Sequence, residues 1–390
     1  MYPHQAERLS EALDAAQVEG LVATSPENVA YVTGFRSVAG QRGEAPEFGV
    51  FTRSGTALVV PAQHAASIAA DAIDVDHVVC FGEWRVSVPE GSSPEVRRLQ
   101  EIRAAAAPGP LVALAAALDR LGVRHGSIGV DESHLTRDAW EGLTAGIAGA
   151  KIGPAAAHLA VARRVKGPYE IECMGHALRI AEEALDAVIQ TIDRGMTERE
   201  AAALFASEVL KRGAWPQRPV VMIGERTGIP ASWPTDSALR AGDLVRFDMG
   251  CIYKGYCSSV GRTAVLGEPS SSQEALSQAV RAGLEAAIAA VKAGGPAGPI
   301  FDAAVEAIRG HGIPNHHTDH CGHGIGLQPH EVPLITFGNR ATLELGEVLC
   351  IEASHYQVGV MGVGVRNTVL VTTTGARALN RSYHGLVALD

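Results

Sequence analysis

Two histidines and a glutamate lie close together around a glycine-rich turn in the last third of the chain. The segment 320–333, HCGHGIGLQPHEVP, contains His323, His330 and Glu331. Neutral imidazole is an effective general base near pH 7, and it is also a common metal ligand. The small residues between the histidines leave room for both rings to face one cleft. The segment therefore predicts a site for acid–base chemistry or for metal binding.

Two carboxylates stand at the ends of apolar runs in the same half of the chain. Asp248 ends the run LVRFD and Glu352 ends the run VLCIE. A carboxylate beside a buried strand costs free energy unless it is paired, binds a metal or faces water in a cleft. A surface position at the end of each strand is the alternative. We expect both carboxylates to join the histidines in one cleft.

Composition limits the class of protein. A chain of 390 residues exceeds one ordinary core and predicts two domains, and its apolar fraction of 46% is sufficient to fill them. The formal net charge of −10 gives no support to binding of nucleic acid or of a membrane surface. No apolar run is long enough to span a bilayer, and the N-terminal residues lack a secretory-signal pattern. We expect a cytoplasmic protein with reduced cysteines and a small-molecule partner.

The elements that must position these residues fall into two groups. Residues 1–162 alternate helix and strand patterns, with a hairpin signal between strands 48–52 and 56–60, and predict an α/β domain. Residues 163–390 show two long helices followed by three strands, and this order then repeats. The repeat predicts an α+β domain with internal pseudo-two-fold symmetry around a central cleft.

Five short motifs together resemble one known family. They are NVAYVTGFR at 28–36, KGPYE at 166–170, GDLVRFD at 242–248, GHGIG at 322–326 and HEVP at 330–333. Over nearly its whole length the chain resembles the "pita-bread" family of creatinase, prolidase, aminopeptidase P and methionine aminopeptidase. The resemblance implies a creatinase-like N-terminal domain at 1–162, a pita-bread catalytic domain at 163–390, and a homodimer.

The peptidases of this family hold two divalent metals with two aspartates, one histidine and two glutamates. The resemblance places three of these ligands on Asp248, His323 and Glu352. The second aspartate is replaced by Ser259, and the second glutamate is replaced by Arg366. An arginine puts a permanent cation where a dication would sit, so the metal site is degenerate. Arg366 could pair with the remaining carboxylates, or it could clamp a substrate carboxylate.

The metal-free branch of the family, with creatinase as its known member, is the nearer analogue. The match to creatinase is incomplete, because the histidine of its acid–base chemistry falls on Ala231 and one of its glutamates falls on Gly261. The sequence therefore predicts a metal-independent creatinase-like hydrolase that needs no cofactor. Its predicted reaction is cleavage of a C–N bond in a small amino-acid-like or amidine-like substrate.

The predicted site has a catalytic set and a substrate-binding set. The catalytic residues are His330, His323, Glu352 and Asp248. The substrate-binding residues are Arg366, Arg42, Tyr256, Trp233 and Glu331. The resemblance implies that His330 faces the substrate, that His323 lies deeper, and that Arg42 reaches the site of a partner subunit. For Cys321, inside the histidine motif, a buried thiol is favoured over a nucleophile.

Three other functions stay open at this point. A metal-dependent Xaa-Pro dipeptidase-like peptidase could use Asp248, His323 and Glu352 as ligands of a single metal. A lyase or isomerase could use the same acid–base residues on the same scaffold. A non-catalytic binding protein is the third alternative, since the fold also has members that lack enzymatic activity.

Overall fold

The computed structural model of the chain describes residues 2–71, 73–85, 87, 93–381 and 385–389. The chain divides into two compact units, Met1–Arg163 and Arg164–Asp390. The boundary lies one residue beyond the predicted one. In the described residues, no helix is both long enough and apolar enough to cross a membrane.

The N-terminal unit alternates helices with strands. Its helices are Pro3–Ala16 (α1), Pro26–Thr33 (α2), Val38–Gln41 (α3), Ala65–Ala70 (α4), Pro94–Ala104 (α5), Pro110–Arg120 (α6), Arg137–Gly146 (α7) and Ala156–Ala162 (α8). Its strands are Gly20–Ala23 (β1), Phe48–Thr52 (β2), Gly55–Pro61 (β3), His77–Phe81 (β4), Ser127–Val130 (β5) and Lys151–Pro154 (β6). Proline begins several of these helices, which suits a first turn whose N–H groups have no helical partner.

The described strands of this unit form one mixed sheet in the order β4-β3-β2-β1-β5-β6. The predicted hairpin is confirmed, because β2 and β3 pair antiparallel from Phe48↔Val59 to Thr52↔Gly55. The pairs β3–β4, β1–β5 and β5–β6 are parallel. Strands β1 and β2 are buried along their whole length, as expected for a sheet with apolar cover on both faces. The unit is thus the predicted α/β domain.

The C-terminal unit contains two pairs of helices, and each pair is followed by strands. The helices are Pro168–Thr191 (α9), Glu198–Lys211 (α10), Ser271–Ala290 (α11) and Gly298–Gly310 (α12). The strands are Trp215–Ile223 (β7), Leu244–Tyr253 (β8), Tyr256–Cys257 (β9), Val260–Leu266 (β10), Gly322–Gly324 (β11), Glu331–Leu334 (β12), Val348–Gln357 (β13), Met361–Thr372 (β14), Gly375–Ala378 (β15) and Val387–Leu389 (β16).

The sheet of this unit confirms the predicted internal repeat. Its order is β12-β11-β13-β14-β10-β8-β7, and the two halves meet where β14 pairs with β10. One apolar cluster packs α9 and α10 on β7, β8 and β10, and a second packs α11 and α12 on β13 and β14. This arrangement is the pita-bread architecture that the motifs predicted.

Alternation along the central strands decides which side chains can reach a cleft. On β8, Val245, Phe247 and Met249 belong to the apolar cluster under α9 and α10. Because successive side chains of a strand point to opposite faces, Asp248 lies on the face away from those helices. The same alternation on β13 places Ile351 and Ala353 under α11 and α12, with Glu352 between them on the other face. Both predicted carboxylates therefore share one face of the sheet.

Candidate active site

Four residues form one row across neighbouring strands of the C-terminal sheet. Glu352 on β13 lies opposite Arg366 on β14, and Arg366 lies opposite Gly261 on β10. Gly261 in turn lies opposite Asp248 on β8. The register therefore brings together two strands from each half of the repeat, and the site sits at their junction.

Arg366 joins the two carboxylates of this row. Its Nη1 lies 2.7 Å from Asp248 Oδ1, and its Nε lies 2.7 Å from Glu352 Oε2. Nη1 also donates to Ser259 Oγ at 3.2 Å. Burial alone would lower the pKa of the Arg366 guanidinium, but Asp248 and Glu352 raise it above its ordinary value. Arg366 is therefore a permanent cation. Pairing with Asp248 or Glu352 was one of its two predicted roles, and in the structure Arg366 pairs with both.

Glu352 is ionised for the same reason. Burial would raise the pKa of its carboxyl group, but the charge of Arg366 and the neighbouring histidines lower it below the ordinary value. Its other oxygen, Oε1, lies 3.2 Å from Nε2 of His320. The sequence analysis assigned no role to His320, although this residue begins the histidine motif. An anion next to a cation is the arrangement that stabilises both charges away from water.

Gly261 makes room for this bridge. A Cβ atom at this position would lie 2.8 Å from Cγ of Arg366 and 3.1 Å from its backbone N. Contacts that short do not occur without displacement of one of the groups. The glycine therefore lets the Arg366 side chain cross β10 and reach Asp248.

The two predicted histidines stack in the site. The ring centroids of His323 and His330 are 4.0 Å apart. His323 is buried, and its Nδ1 lies 2.8 Å from the carbonyl oxygen of Gly324. A carbonyl only accepts, so Nδ1 carries the proton and Nε2 has the lone pair. Nε2 is buried and has no hydrogen-bond partner.

Both imidazoles are held in the neutral form. Burial is the main cause that lowers the pKa of His323 to about 4, and the adjacent His330 ring contributes, since two protonated rings would repel each other. Burial, followed by the charges of Arg218 and Arg366, also lowers the pKa of His330 below its ordinary value. His330 is the exposed member of the pair and His323 the buried one, which agrees with the predicted depths. A neutral ring can accept a proton at neutral pH.

Glu331 does not face the cleft, which contradicts its predicted contact with substrate. Its Oε2 lies 2.9 Å from Nζ of Lys166, and both side chains are 2% exposed. Its Oε1 accepts from the backbone N–H of Gln328. The carboxylate turns inward because the buried ammonium of Lys166 supplies an opposite charge. Glu331 thus anchors the turn that carries His330.

Two other predicted substrate contacts, Tyr256 and Trp233, do not line the cavity, and a third, Arg42, belongs to the other unit. Tyr256 is buried, and its hydroxyl donates to Glu170 Oε1 at 3.0 Å, so it is a packing residue. Trp233 is 84% exposed on the surface, because the loop that carries it does not fold over the site. Arg42 belongs to the N-terminal unit, where it forms an exposed ion pair with Glu44 at 3.5 Å. Its contact with a partner's site stays a prediction.

A cavity opens between Asp248, Arg366 and the histidine turn. Its charged and polar lining includes Arg218, Asp248, His323, His330 and Arg366. Sequence reasoning missed Arg218, which stands near the start of an apolar strand and has no motif around it. Cys321 is buried, and burial raises the pKa of its thiol, so the expectation of an inert thiol agrees with the structure.

The residues of the cavity do not fit the metal pair that the family resemblance implies. Metal ligands must be deprotonated groups with lone pairs free for the ion, yet Asp248 and Glu352 both direct an oxygen at Arg366. A dication would also lie beside the permanent charge of that guanidinium. In the described part of the chain, no group of three or more His, Cys, Asp and Glu side chains is arranged to hold a metal ion.

Two protein families match this sequence. Residues 172–373 match metallopeptidase family M24, and residues 5–165 match the creatinase/prolidase N-terminal domain. The Xaa-Pro dipeptidase of Pyrococcus furiosus is 33% identical over 229 residues, which are 58% of this chain and 65% of that relative. The aligned stretch thus spans slightly less than two thirds of that relative.

Two further proteins match over nearly the full length. The uncharacterized peptidase YqhT of Bacillus subtilis is 26% identical over 98% of this chain and 99% of that relative. The solved structure of an Xaa-Pro dipeptidase from Bacillus anthracis superposes with a TM-score of 0.83 at 23% identity, covering 99% of both chains. At that identity the superposition supports the fold alone.

The names of these relatives correct one prediction. They are peptidases and Xaa-Pro dipeptidases, and the matching family is one of metallopeptidases. The prediction of a metal-independent creatinase-like hydrolase of a small amino-acid-like or amidine-like substrate is therefore wrong. It rested on the replacement of two metal ligands by Ser259 and Arg366, and that replacement does not identify the reaction or the substrate.

Proposed function

The chain belongs to metallopeptidase family M24, and on this premise we propose that it is a peptidase of the Xaa-Pro dipeptidase type. Its substrate is a short peptide, and its reaction is hydrolysis of the C–N bond before proline. The observation that carries the proposal is the convergence of Asp248, His323, His330 and Arg366 on one cavity in a fold shared with dipeptidases.

The proton chemistry is assigned to His330. Hydrolysis requires that a proton leave the attacking water and that a proton reach the leaving nitrogen. His330 is neutral and exposed, so it can take the first proton and return it to the amine. The lone pair of His323 Nε2 can accept a hydrogen bond from a bound water or from the peptide. Arg366 holds Asp248 and Glu352 in fixed positions around both rings.

Release of free proline tests the proposal. Full-length protein is incubated with Ala-Pro and with Ala-Ala, once after chelation and once with added Mn²⁺, and proline is measured by chromatography. We expect release from Ala-Pro and a loss of at least about a hundredfold in kcat/KM for His330→Gln. The exposed His317, which does not line the cavity, supplies the control His317→Gln. Absence of proline release under both conditions would contradict the proposal.

A peptide-binding protein without turnover is the second candidate. The observation that favours it is the closed ion bridge of Arg366, which occupies oxygens of both carboxylates. Calorimetric binding of Ala-Pro without release of proline is the result that this alternative predicts. The homodimer and the cytoplasmic location stay predictions, and sedimentation of the purified chain tests the first of them.

A further inference from the structure

Arg218 reaches the cavity because β7 is irregular at that point. The pairing of β7 with β8 shifts register between Gln217 and Val220, and Arg218 has a φ of +47°. A bulge of this kind bends a strand and redirects one side chain, and bulges are frequent beside active sites. A left-handed φ is uncommon for a residue other than glycine, so the surrounding structure must favour this position of the side chain.

Arg218 is the less firmly paired of the two cavity arginines. It shares Asp248 with Arg366, but its Nη2 lies 3.7 Å from Oδ2, whereas Nη1 of Arg366 lies 2.7 Å from Oδ1. Its other contact runs from Nη1 to His330 Nε2 at 3.4 Å. The Arg218 side chain is 37% exposed, whereas that of Arg366 is 14% exposed. One carboxylate therefore serves two guanidinium groups, and the outer one is only partly neutralised.

The cavity is too small for a peptide when its wall includes Arg218 directed at Asp248. Its volume is about 10 Å³, which is close to the minimum space for a single water. Arg218 is the exposed arginine of the wall, and its contacts are separate from the bonds of Arg366 to Asp248 Oδ1 and Glu352 Oε2. A moving guanidinium needs a new anionic partner, and a planar carboxylate can accept two of its N–H groups at once.

We propose that Arg218 is a specificity-determining residue that binds the C-terminal carboxylate of a short peptide. On ligand entry its guanidinium exchanges Asp248 for that carboxylate, and on ligand release it returns. The inference rests on the proposed function, because it takes the ligand to be a short peptide with a free carboxyl end. A peptide whose carboxyl end is an amide offers no charge for this exchange.

Binding of a matched pair of ligands tests the assignment. The probes are the reduced-amide analogue of Ala-Pro, in which a CH₂ group bonded to the proline ring nitrogen replaces the carbonyl and prevents hydrolysis, and the same analogue with a C-terminal carboxamide. Dissociation constants are measured by calorimetry for the wild-type protein, Arg218→Met, Arg218→Lys and the control Arg240→Met. Arg240 is exposed, lies in the same unit and does not line the cavity.

We expect the wild-type protein to bind the acid at least about tenfold more tightly than the amide, as a charge-assisted hydrogen bond warrants. Arg218→Met should bind the acid and the amide with equal affinity, and its retained binding of the amide also shows that the variant is folded. Arg218→Lys should keep part of the preference, because it keeps the charge but lacks the planar fork. Arg240→Met should match the wild type.

The possible results separate this inference from the proposed function. An unchanged preference in Arg218→Met overturns the role of Arg218 and leaves the peptidase proposal standing. A second result is that Arg218→Met loses the preference while the wild-type protein releases no proline from Ala-Pro. This result supports the role of Arg218 and contradicts the proposal that the protein is a peptidase. Absence of binding of either probe to the wild-type protein overturns the role of Arg218, and with it the proposal that the cavity takes a short peptide.

Discussion

Asp131 in the N-terminal unit and Asp248 in the C-terminal unit are both buried carboxylates, yet their partners differ in kind. Asp131 follows β5 and accepts from hydroxyl, amide and backbone donors, namely Ser25, Asn28 and Ser133. Asp248 lies within β8 and pairs with the guanidinium groups of Arg366 and Arg218. One carboxylate is held by neutral dipoles, and the other is held by charge.

The difference separates a structural carboxylate from one at a site. The donors of Asp131 are backbone groups and short side chains, which have fewer alternative positions than an arginine side chain. They lower its pKa to about 2, although burial alone would raise it. The partners of Asp248 include Arg218, a long and partly exposed side chain that can leave and be replaced by another cation. A buried acid held by long charged side chains is therefore the better indication of a binding site.

The largest expected effect comes from removal of the cation between Asp248 and Glu352. Arg366→Met leaves two buried carboxylates without their common partner, and we expect a loss of about 3–5 kcal/mol in the free energy of unfolding. Urea denaturation at pH 7 measures it. Arg377→Met is the control, because Arg377 is exposed on the neighbouring strand β15, and it should cost less than about 0.5 kcal/mol. Equal stability of the two variants would show that the bridge is not structural.

A second change should convert the ion bridge into a metal site. Ser259→Asp combined with Arg366→Glu removes the cation and restores two carboxylates at the positions that the family resemblance assigns to metal ligands. We expect Mn²⁺ to bind the double variant at least about a hundredfold more tightly than the wild-type protein, or about 2.7 kcal/mol. Calorimetry measures the affinity, and Ser259→Asp alone is the control because Arg366 would neutralise the added charge. Equal affinity of the double variant and the wild type would contradict the mapping.

The smallest expected effect is on the stability that Asp131, the carboxylate held by neutral donors, contributes. The pKa of Asp131 is about 2 in the folded protein, whereas its ordinary value is 3.8. Ionisation of this carboxyl group therefore contributes about 2 kcal/mol to the free energy of unfolding at neutral pH. Asp131→Asn should lose this amount at pH 7. Because the folded pKa is depressed, the contribution is complete above about pH 4 and declines as the pH falls toward 2. Unfolding of both proteins from pH 7 to pH 3 should show the difference shrinking, and a difference independent of pH would contradict the assignment.

The sequence was sufficient for the fold and for the centre of the site. Motifs of strands and turns placed Asp248, Glu352 and His323 correctly, because strand alternation and a rigid glycine turn determine where such side chains point. Charge alone left two roles open for Arg366, pairing with a remaining carboxylate or binding a substrate carboxylate, and it did not decide between them. The sequence could not show that Glu331 turns inward, because its partner Lys166 is distant in the chain.

Arg218 could not be found from the sequence for a different reason. Its side chain reaches the cavity through a register shift between two strands, and a register shift leaves no local pattern of residue types. Trp233 is the opposite case, because the sequence analysis placed it in the site and the structure does not. An aromatic residue in a loop beside a predicted cleft carries no information about which way the loop folds. The predicted function was wrong because missing metal ligands do not specify what a cavity binds.

Gly261 ties two positions of this site to each other. A Cβ atom at 261 would lie 2.8 Å from Cγ of Arg366, so a side chain at 261 conflicts with the present path of the Arg366 side chain. A larger residue at 261 would force that side chain to shift, and the bridge to Asp248 and Glu352 would shift with it. The two positions are therefore coupled, and their substitutions are expected to be strongly non-additive in fitness as well as in stability.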